Sequence, residues 1–259
     1  MGELSITAHE PTALLQMNHV KKAFGDDVVA LRDMNLRVNQ GEFVSLLGPS
    51  GCGKSTALRL IAGLARPTSG TISWHGGQGS GDLGVVFQEP TLMPWAQVRH
   101  NVWLPLRLRG KSFKQSRREV SRALQLTGLE QFQYAYPREL SGGMKMRVSI
   151  ARAMVTKPRL ILMDEPFAAL DEITRHKMNS DLLSLRDATG CTVIFVTHSV
   201  FESVFLSDRI VVMASRPGRV IRELAIDSTQ PRVSEFRTSN EFASIAREAS
   251  ESLQQAMVA

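Results

Sequence analysis

The sequence predicts an α/β protein: a parallel sheet covered by helices on both faces, an antiparallel β layer near the N-terminus and a helical insertion. Three observations lead there. Short, almost wholly apolar runs alternate with helix-patterned stretches, the signature of strands buried on both faces. One such run enters a glycine-rich loop that opens a helix. Ahead of it lie apolar runs with partial alternation, separated by turn residues, as antiparallel strands require.

Leu14 to Val20 and Val28 to Val44 are the alternating runs, broken by Gly25-Asp26-Asp27 and Asn39-Gln40-Gly41. Phe43 to Leu47 is a mostly apolar strand, and Thr56 to Leu64 has helical apolar spacing, stopped by Pro67 and Gly70. Strands at Thr71–Trp74 and Gly84–Phe87 are joined by the flexible turn Gly76 to Gly81. From Val98 to Val155 the texture is helical, with Val120, Ala123, Leu124 and Thr127 on one face and Val148 to Val155 forming another. The strands Leu160–Met163 and Thr192–Val196 flank a helix from about Glu172 to Asp187. A hairpin around Arg216-Pro217-Gly218-Arg219 and a helix from Asn240 to Met257 close the chain. Without repeats or low-complexity linkers, this reads as one domain over 1–259. Its core spans about 14–97 and 157–225, with a helical part at about 98–156 and the C-terminal hairpin and helix at about 209–259.

With 259 residues the chain is long enough to bury a substantial core. Hydrophobic residues at 43% and charged residues at 22% place it with soluble globular proteins rather than disordered or spanning ones. Two cysteines, Cys52 and Cys191, are too few for a disulfide framework and suit a reducing compartment. Ala188 to Phe201, uncharged but interrupted by Gly190 and His198, is too short to cross a bilayer. Met1 to Pro11 has no apolar centre, so a secretory leader is not expected. Membrane contact would come through a partner.

The net charge of +6 is concentrated in Arg107, Arg109, Lys111, Lys114, Arg117, Arg118 and Arg122, opposed by Glu119 alone. No aromatic residues are expected to interleave with these charges as in a stacking platform for single strands, so no nucleic acid is expected. A solvated helix face, or a contact with lipid headgroups or a partner's loops, both remain open.

Gly48-Pro49-Ser50-Gly51-Cys52-Gly53-Lys54-Ser55-Thr56 fits G-x-x-x-x-G-K-[ST] in the required context, between a strand and a helix. Glycines let backbone N–H groups point inward around phosphate oxygens, and the helix N-terminus adds positive potential. This is a P-loop NTPase nucleotide site. Lys54 would reach the β- and γ-phosphates, and the Ser55 hydroxyl would coordinate Mg²⁺. Leu160-Ile161-Leu162-Met163-Asp164-Glu165 is an apolar strand ending in acids, placing Asp164 beside the loop to hold Mg²⁺ through water. Glu165 could accept the proton of an attacking water. Cys52 leaves two readings: an inert filler, or a thiol with its pKa lowered by the helix N-terminus.

These features fit several nucleotide hydrolases. Leu140-Ser141-Gly142-Gly143, opening a helix shortly before the acid-ended strand, narrows the choice. With it the chain resembles the ATP-binding-cassette (ABC) ATPase family over nearly its whole length. The resemblance implies the ABC ATPase fold, with a helical signature subdomain. Ser141, Gly142, Gly143 and the next residue would bind the γ-phosphate of ATP held by the opposite subunit. It likens Gln88 to the Q-loop glutamine that senses Mg²⁺ and the transmembrane partner. Asp171 in Ala169-Leu170-Asp171 matches the D-loop, His198 the switch histidine at the γ-phosphate, and Phe24 the aromatic ring on adenine. The usual LSGGQ ends here in Met144, which lacks the amide's hydrogen-bonding capacity. A P-loop kinase would not need this segment.

Val86-Phe87-Gln88-Glu89-Pro90-Thr91-Leu92-Met93-Pro94-Trp95 is similar to ATPases of nitrate, sulfonate and taurine importers. The resemblance implies a small solute, a sulfonate, taurine, nitrate or a pyrimidine-type compound, that never touches this subunit. Leu140 to Arg147 and Asp164 to Glu172 point the same way. The resemblance implies ATP and Mg²⁺ as cofactors and a head-to-tail, nucleotide-sandwich dimer of ATPase subunits. It also implies a separate permease docking near Gln88 to Asn101, a solute-binding protein acting indirectly, and a peripheral place on the cytoplasmic side of the inner membrane. Leu92, Met93 and Trp95 would be that contact surface or core. The other reading is a soluble ABC ATPase serving ribosomes or DNA repair. Those usually carry two cassettes or a long coiled coil, and neither is present.

Overall fold

The computed structural model describes residues 12–25, 28–77, 82–215, 217–227 and 231–258. The N-terminal leader reading, the acids of the first turn (26–27), most of the glycine turn (78–81) and Arg216 lie outside them.

Two sheets form. β1 (Ala13–Phe24), β2 (Val28–Asn39) and β4 (Ser69–Trp74) make a three-stranded antiparallel sheet in the order β2-β1-β4. The antiparallel layer therefore forms as expected, but its third strand arrives from beyond helix α1 (Lys54–Ile61). The central sheet contains β3 (Phe43–Leu47), β5 (Leu83–Val86), β6 (Leu160–Asp164), β7 (Thr192–Thr197), β8 (Arg209–Ala214) and β9 (Arg219–Ala225). Its order is β5-β6-β7-β3-β8-β9, parallel from β5 to β8, with β9 antiparallel at the edge. β8 is thus a central strand beside β3 as well as the first arm of the C-terminal hairpin.

Every residue of β3 and β7 is buried, and the pleat divides them between two cores. Phe43, Leu47, Ile161, Met163, Val193 and Phe195 face helices α5 (Glu172–Thr189), α6 (Val200–Leu206) and α7 (Asn240–Val258). Val44, Leu46, Leu160, Leu162, Ile194 and Val196 face α1 and the antiparallel sheet. A third cluster sits among α2 (Val98–Leu108), α3 (Arg117–Leu126) and α4 (Gly142–Met154), around Val102, Leu106, Val120, Leu124 and Val148. Helix α4 serves two masters: Val148 and Ala151 belong to this helical cluster, while Met146, Ile150 and Met154 belong to the main core. No helix among the described residues is long and apolar enough to cross a membrane.

The basic stretch needs one correction. Phe113 lies inside it, and Trp103 stands just before it. The Arg99 guanidinium sits 5.5 Å from the Phe113 ring centre and Arg107 5.6 Å from that of Trp103. Aromatic and basic side chains therefore do interleave. The two rings meet edge to face at 5.6 Å, which spends them on each other and on arginines.

Candidate functional site

The chemistry-bearing residues collect at the carboxyl ends of the parallel strands, where open α/β sheets hold ligands. Leu47 of β3 leads to Gly48, Val86 of β5 to Gln88, β6 ends on Asp164, and Thr197 of β7 leads to His198. Strand β7 lies between β3 and β6. Asp164 nevertheless reaches the loop after β3, its Oδ1 accepting a hydrogen bond from Ser55 Oγ at 3.0 Å.

Lys54 is buried where the loop becomes α1, and its ammonium donates to the carbonyls of Gly48 at 2.7 Å and Pro49 at 2.9 Å. Those carbonyls hold the ammonium inside the loop. Gly53 has φ 94° and stands so close to Leu31 and the Ala30 carbonyl that no side chain fits. The loop rests on a support that no local pattern announces: the tip of the β8–β9 hairpin. Gly218 donates to the Ala30 carbonyl, and its own carbonyl accepts from Arg32. A Cβ on Gly218 would stand 2.2 Å from the Cys52 carbonyl oxygen, in the middle of the loop. Gly218→Ala is therefore expected to deform the loop, costing about 1–3 kcal/mol of overpacking and weakening ATP binding. Melting curves with and without ATP check this; an alanine variant with native ATP-induced stabilisation would refute it.

The Cys52 thiol is fully buried, and burial pushes its pKa up against the lowering influence of Lys54. The activated-thiol reading fails: desolvation outweighs the helix terminus, and Cys52 is a space-filling residue.

Burial also raises the Asp164 carboxyl, with the Ser55 hydrogen bond opposing and Glu165 reinforcing the shift. Glu165 has left-handed backbone, φ 45°, and its N–H donates to the Val196 carbonyl at 3.0 Å. A non-glycine residue held there stores strain, as functional positions often do. The turn brings Glu165 Oε2 to 3.1 Å from Nδ1 of the exposed His198. Lys54, Ser55, Asp164, Glu165 and His198 thus form one connected group. Gln88 is exposed beyond β5, and Phe24 is 49% exposed with the Lys22 ammonium 4.9 Å from its ring centre.

A second group lies at the N-termini of α4 and α5. Ser141 caps α4, accepting from the Met144 N–H at 3.3 Å, and Asp171 caps α5, accepting from the Thr174 N–H at 2.9 Å. That Thr174 hydrogen bond holds the exposed Asp171 carboxyl below its ordinary range. Gly143 packs so tightly that a Cβ would stand 2.9 Å from the Thr174 methyl, and Gly142 lies against Leu170. Met144 packs against the helical cluster.

Two residues that hold the site together carried only a faint signal. Asn101 is fully buried on the apolar stripe of Val98, Val102 and Leu106. Its amide accepts from Met93 N–H at 2.7 Å and donates to the Ala96 carbonyl at 2.9 Å. Arg152 donates to the carbonyls of Pro90 and Thr91 at 2.9 and 2.8 Å. Together they set the loop after Gln88. On it Leu92 packs against the helical cluster while Trp95 is 77% exposed, beside a groove lined by Met93, His100, Trp103 and Tyr136.

Comparison with known proteins agrees with this arrangement. The family model described as ABC transporter matches residues 31–168. The nitrate import ATP-binding protein NrtD of Synechocystis sp. is 47% identical over 217 residues, covering 83% of this chain and 82% of that protein. The taurine import ATP-binding protein TauB of Jannaschia sp. is 42% identical over 231 residues, covering 86% of each. Among solved structures, a dimeric ATP-binding cassette in a post-hydrolysis state, bound to ADP and Pi, superposes with a TM-score of 0.70. It is 33% identical and covers 83% of this chain and 100% of its own.

Proposed function

Because this chain belongs to the ABC transporter family and is an ATPase of that family, we propose that it powers an importer of a small solute. Nitrate, taurine and other sulfonates are the class its relatives' names suggest. The observation that carries the ATPase part is the joined set Ser55–Asp164 and Glu165–His198 at one end of the parallel sheet.

The assigned roles follow from charge and geometry. ATP phosphates would lie in the loop Gly48–Thr56, with adenine against Phe24. Lys54 would exchange the Gly48 and Pro49 carbonyls for β- and γ-phosphate oxygens, a stronger, charge-assisted partnership. The hydroxyl of Ser55 and the carboxylate of Asp164 are hard oxygen donors in contact, and that pairing suits Mg²⁺, with Gln88 completing the set. When bound, Mg²⁺ neutralises phosphate charge. Glu165 would take the proton of the attacking water while its oxygen bonds to the γ-phosphorus and the bond to the β-phosphate oxygen breaks. His198, held at Glu165, would face the γ-phosphate.

Ser141, Gly142 and Gly143 present a helix N-terminus on the second group, fit for the γ-phosphate of a partner subunit's ATP. Asp171 belongs to the same surface. Two chains facing head to tail would each complete the other's site, with a separate permease seated near Trp95 and a solute-binding protein outside. The chain would then work at the cytoplasmic face of the inner membrane.

Affinity recovery of the tagged chain from solubilised native membranes tests this. A multi-spanning permease encoded beside a solute-binding protein is the expected companion; ribosomes or repair factors instead would leave the ATPase and remove the importer.

A further inference from the structure

Behind His198 lies a buried polar cluster to which none of the roles above extends. Glu202 of α6 is only 7% exposed. Its Oε2 accepts from Thr197 Oγ1 at 2.5 Å, and that hydroxyl accepts from the Ser199 N–H at 3.0 Å. Ser199 Oγ in turn accepts from the Glu202 N–H at 3.3 Å. Three hydrogen bonds therefore close a ring around the turn that carries His198.

The other oxygen, Glu202 Oε1, is buried without a hydrogen-bond donor. It stands 4.0 Å from Arg175 Nε of α5, which is buried and equally unpartnered. The far end of Arg175 donates to the Leu170 carbonyl at 2.8 Å, immediately before Asp171. From the C-terminal side, Arg237 lays its guanidinium 3.5 Å over the Phe205 ring, with one buried nitrogen unpartnered.

Burying this cluster carries a cost. Burial pushes the Glu202 carboxyl up despite Thr197, Arg175, His198 and Arg237, and orphaned buried polar atoms each carry a desolvation cost. A costly group kept directly behind a reactive turn is better explained by what it holds in place.

We propose that Glu202 is a positioning residue for His198, clamping its turn and tying it through Arg175 to the turn that carries Asp171. The Thr197 hydroxyl is locked between Glu202 and the Ser199 amide, so the imidazole is presented from a rigid base. The 4.0 Å separation from Arg175 is the adjustable joint: a small approach of α5 to α6 closes it into a charge-assisted hydrogen bond. The setting of His198 thereby follows the position of Asp171, which sits on the surface proposed to meet a partner chain.

The inference rests on His198 serving the γ-phosphate, and its test separates the two. ATP turnover of the full chain is followed by release of labelled phosphate for Glu202→Ala, Glu202→Gln, Thr197→Val, His198→Ala and the pairs with His198→Ala. Glu202→Ala is expected to lower kcat roughly tenfold, a part of the hundredfold that a 1 Å misplacement costs, with KM for ATP little changed. Glu202→Gln, which still accepts from Thr197, recovers part of that loss. In the His198→Ala background, removing Glu202 should change kcat by less than about twofold, because coupled residues are not additive. Equal losses in both backgrounds would overturn the inference and leave the site intact. A His198→Ala chain with native turnover would instead overturn the reading of the site. Thr197→Val loses a single hydroxyl and supplies the same cycle should Glu202→Ala fold poorly.

Discussion

A Glu165→Gln chain is expected to turn over ATP at least about a hundredfold more slowly than the native chain, the typical worth of a positioned base, while still binding ATP. The change is nearly isosteric. The amide keeps a polar contact with His198 Nδ1, now 3.1 Å from the carboxylate, and the left-handed backbone at φ 45° is as tolerable for glutamine as for glutamate. Only the capacity to take a proton is lost. Because the phosphate loop and the capped helix at Ser141 are untouched, bound ATP should persist and hold two chains together. Size-exclusion chromatography should find the variant as a dimer with ATP and smaller without it. Turnover within about tenfold of native would remove Glu165 as the base.

Lys54→Ala should fail earlier. The ammonium is the only side-chain cation placed within the loop, and its loss removes a preorganised charge worth about a hundredfold or more. The carbonyls of Gly48 and Pro49 also lose their donor, so the loop is left without its internal brace. ATP affinity, followed by calorimetry, should fall together with turnover, and no ATP-dependent dimer should form. The two variants are therefore distinguishable: one holds ATP and dimerises without chemistry, the other does neither. An alanine chain that binds and hydrolyses ATP normally would sink the assignment of the loop.

Much of this was legible because local patterns carried it. Phe43–Leu47 and Thr192–Val196 read as doubly buried strands since both faces are apolar. The phosphate loop reads from spacing within nine residues, and the acids after Met163 from an abrupt end to hydrophobicity. What stayed hidden is non-local. Nothing near Gly218 says that its Cα must touch the Cys52 carbonyl, because residues so far apart in sequence meet only after β8 and β2 are placed. The same holds for β4 joining β1, for β7 intervening between β3 and β6, and for Arg152 bracing the loop after Gln88. The choice between the two readings of Cys52 was hidden for a related reason: a helix terminus is visible in sequence, but the depth of burial that opposes it is not. Phe113 stands in the sequence between Lys111 and Lys114, but its packing on Trp103 and Arg99 is not local.

The two-faced helix α4 has an evolutionary consequence. One face closes the helical cluster beneath the groove at Trp95, Trp103 and Tyr136, whereas the other anchors in the core beneath the acids. Substitutions lining that groove rest on a hydrophobic patch of their own and leave the strands that aim Asp164 and Glu165 undisturbed. If the groove seats the proposed permease, surface changes between 92 and 136 can refit it to another while the hydrolytic chemistry stays fixed. The groove and the hydrolytic strands are thus separately mutable within one short chain.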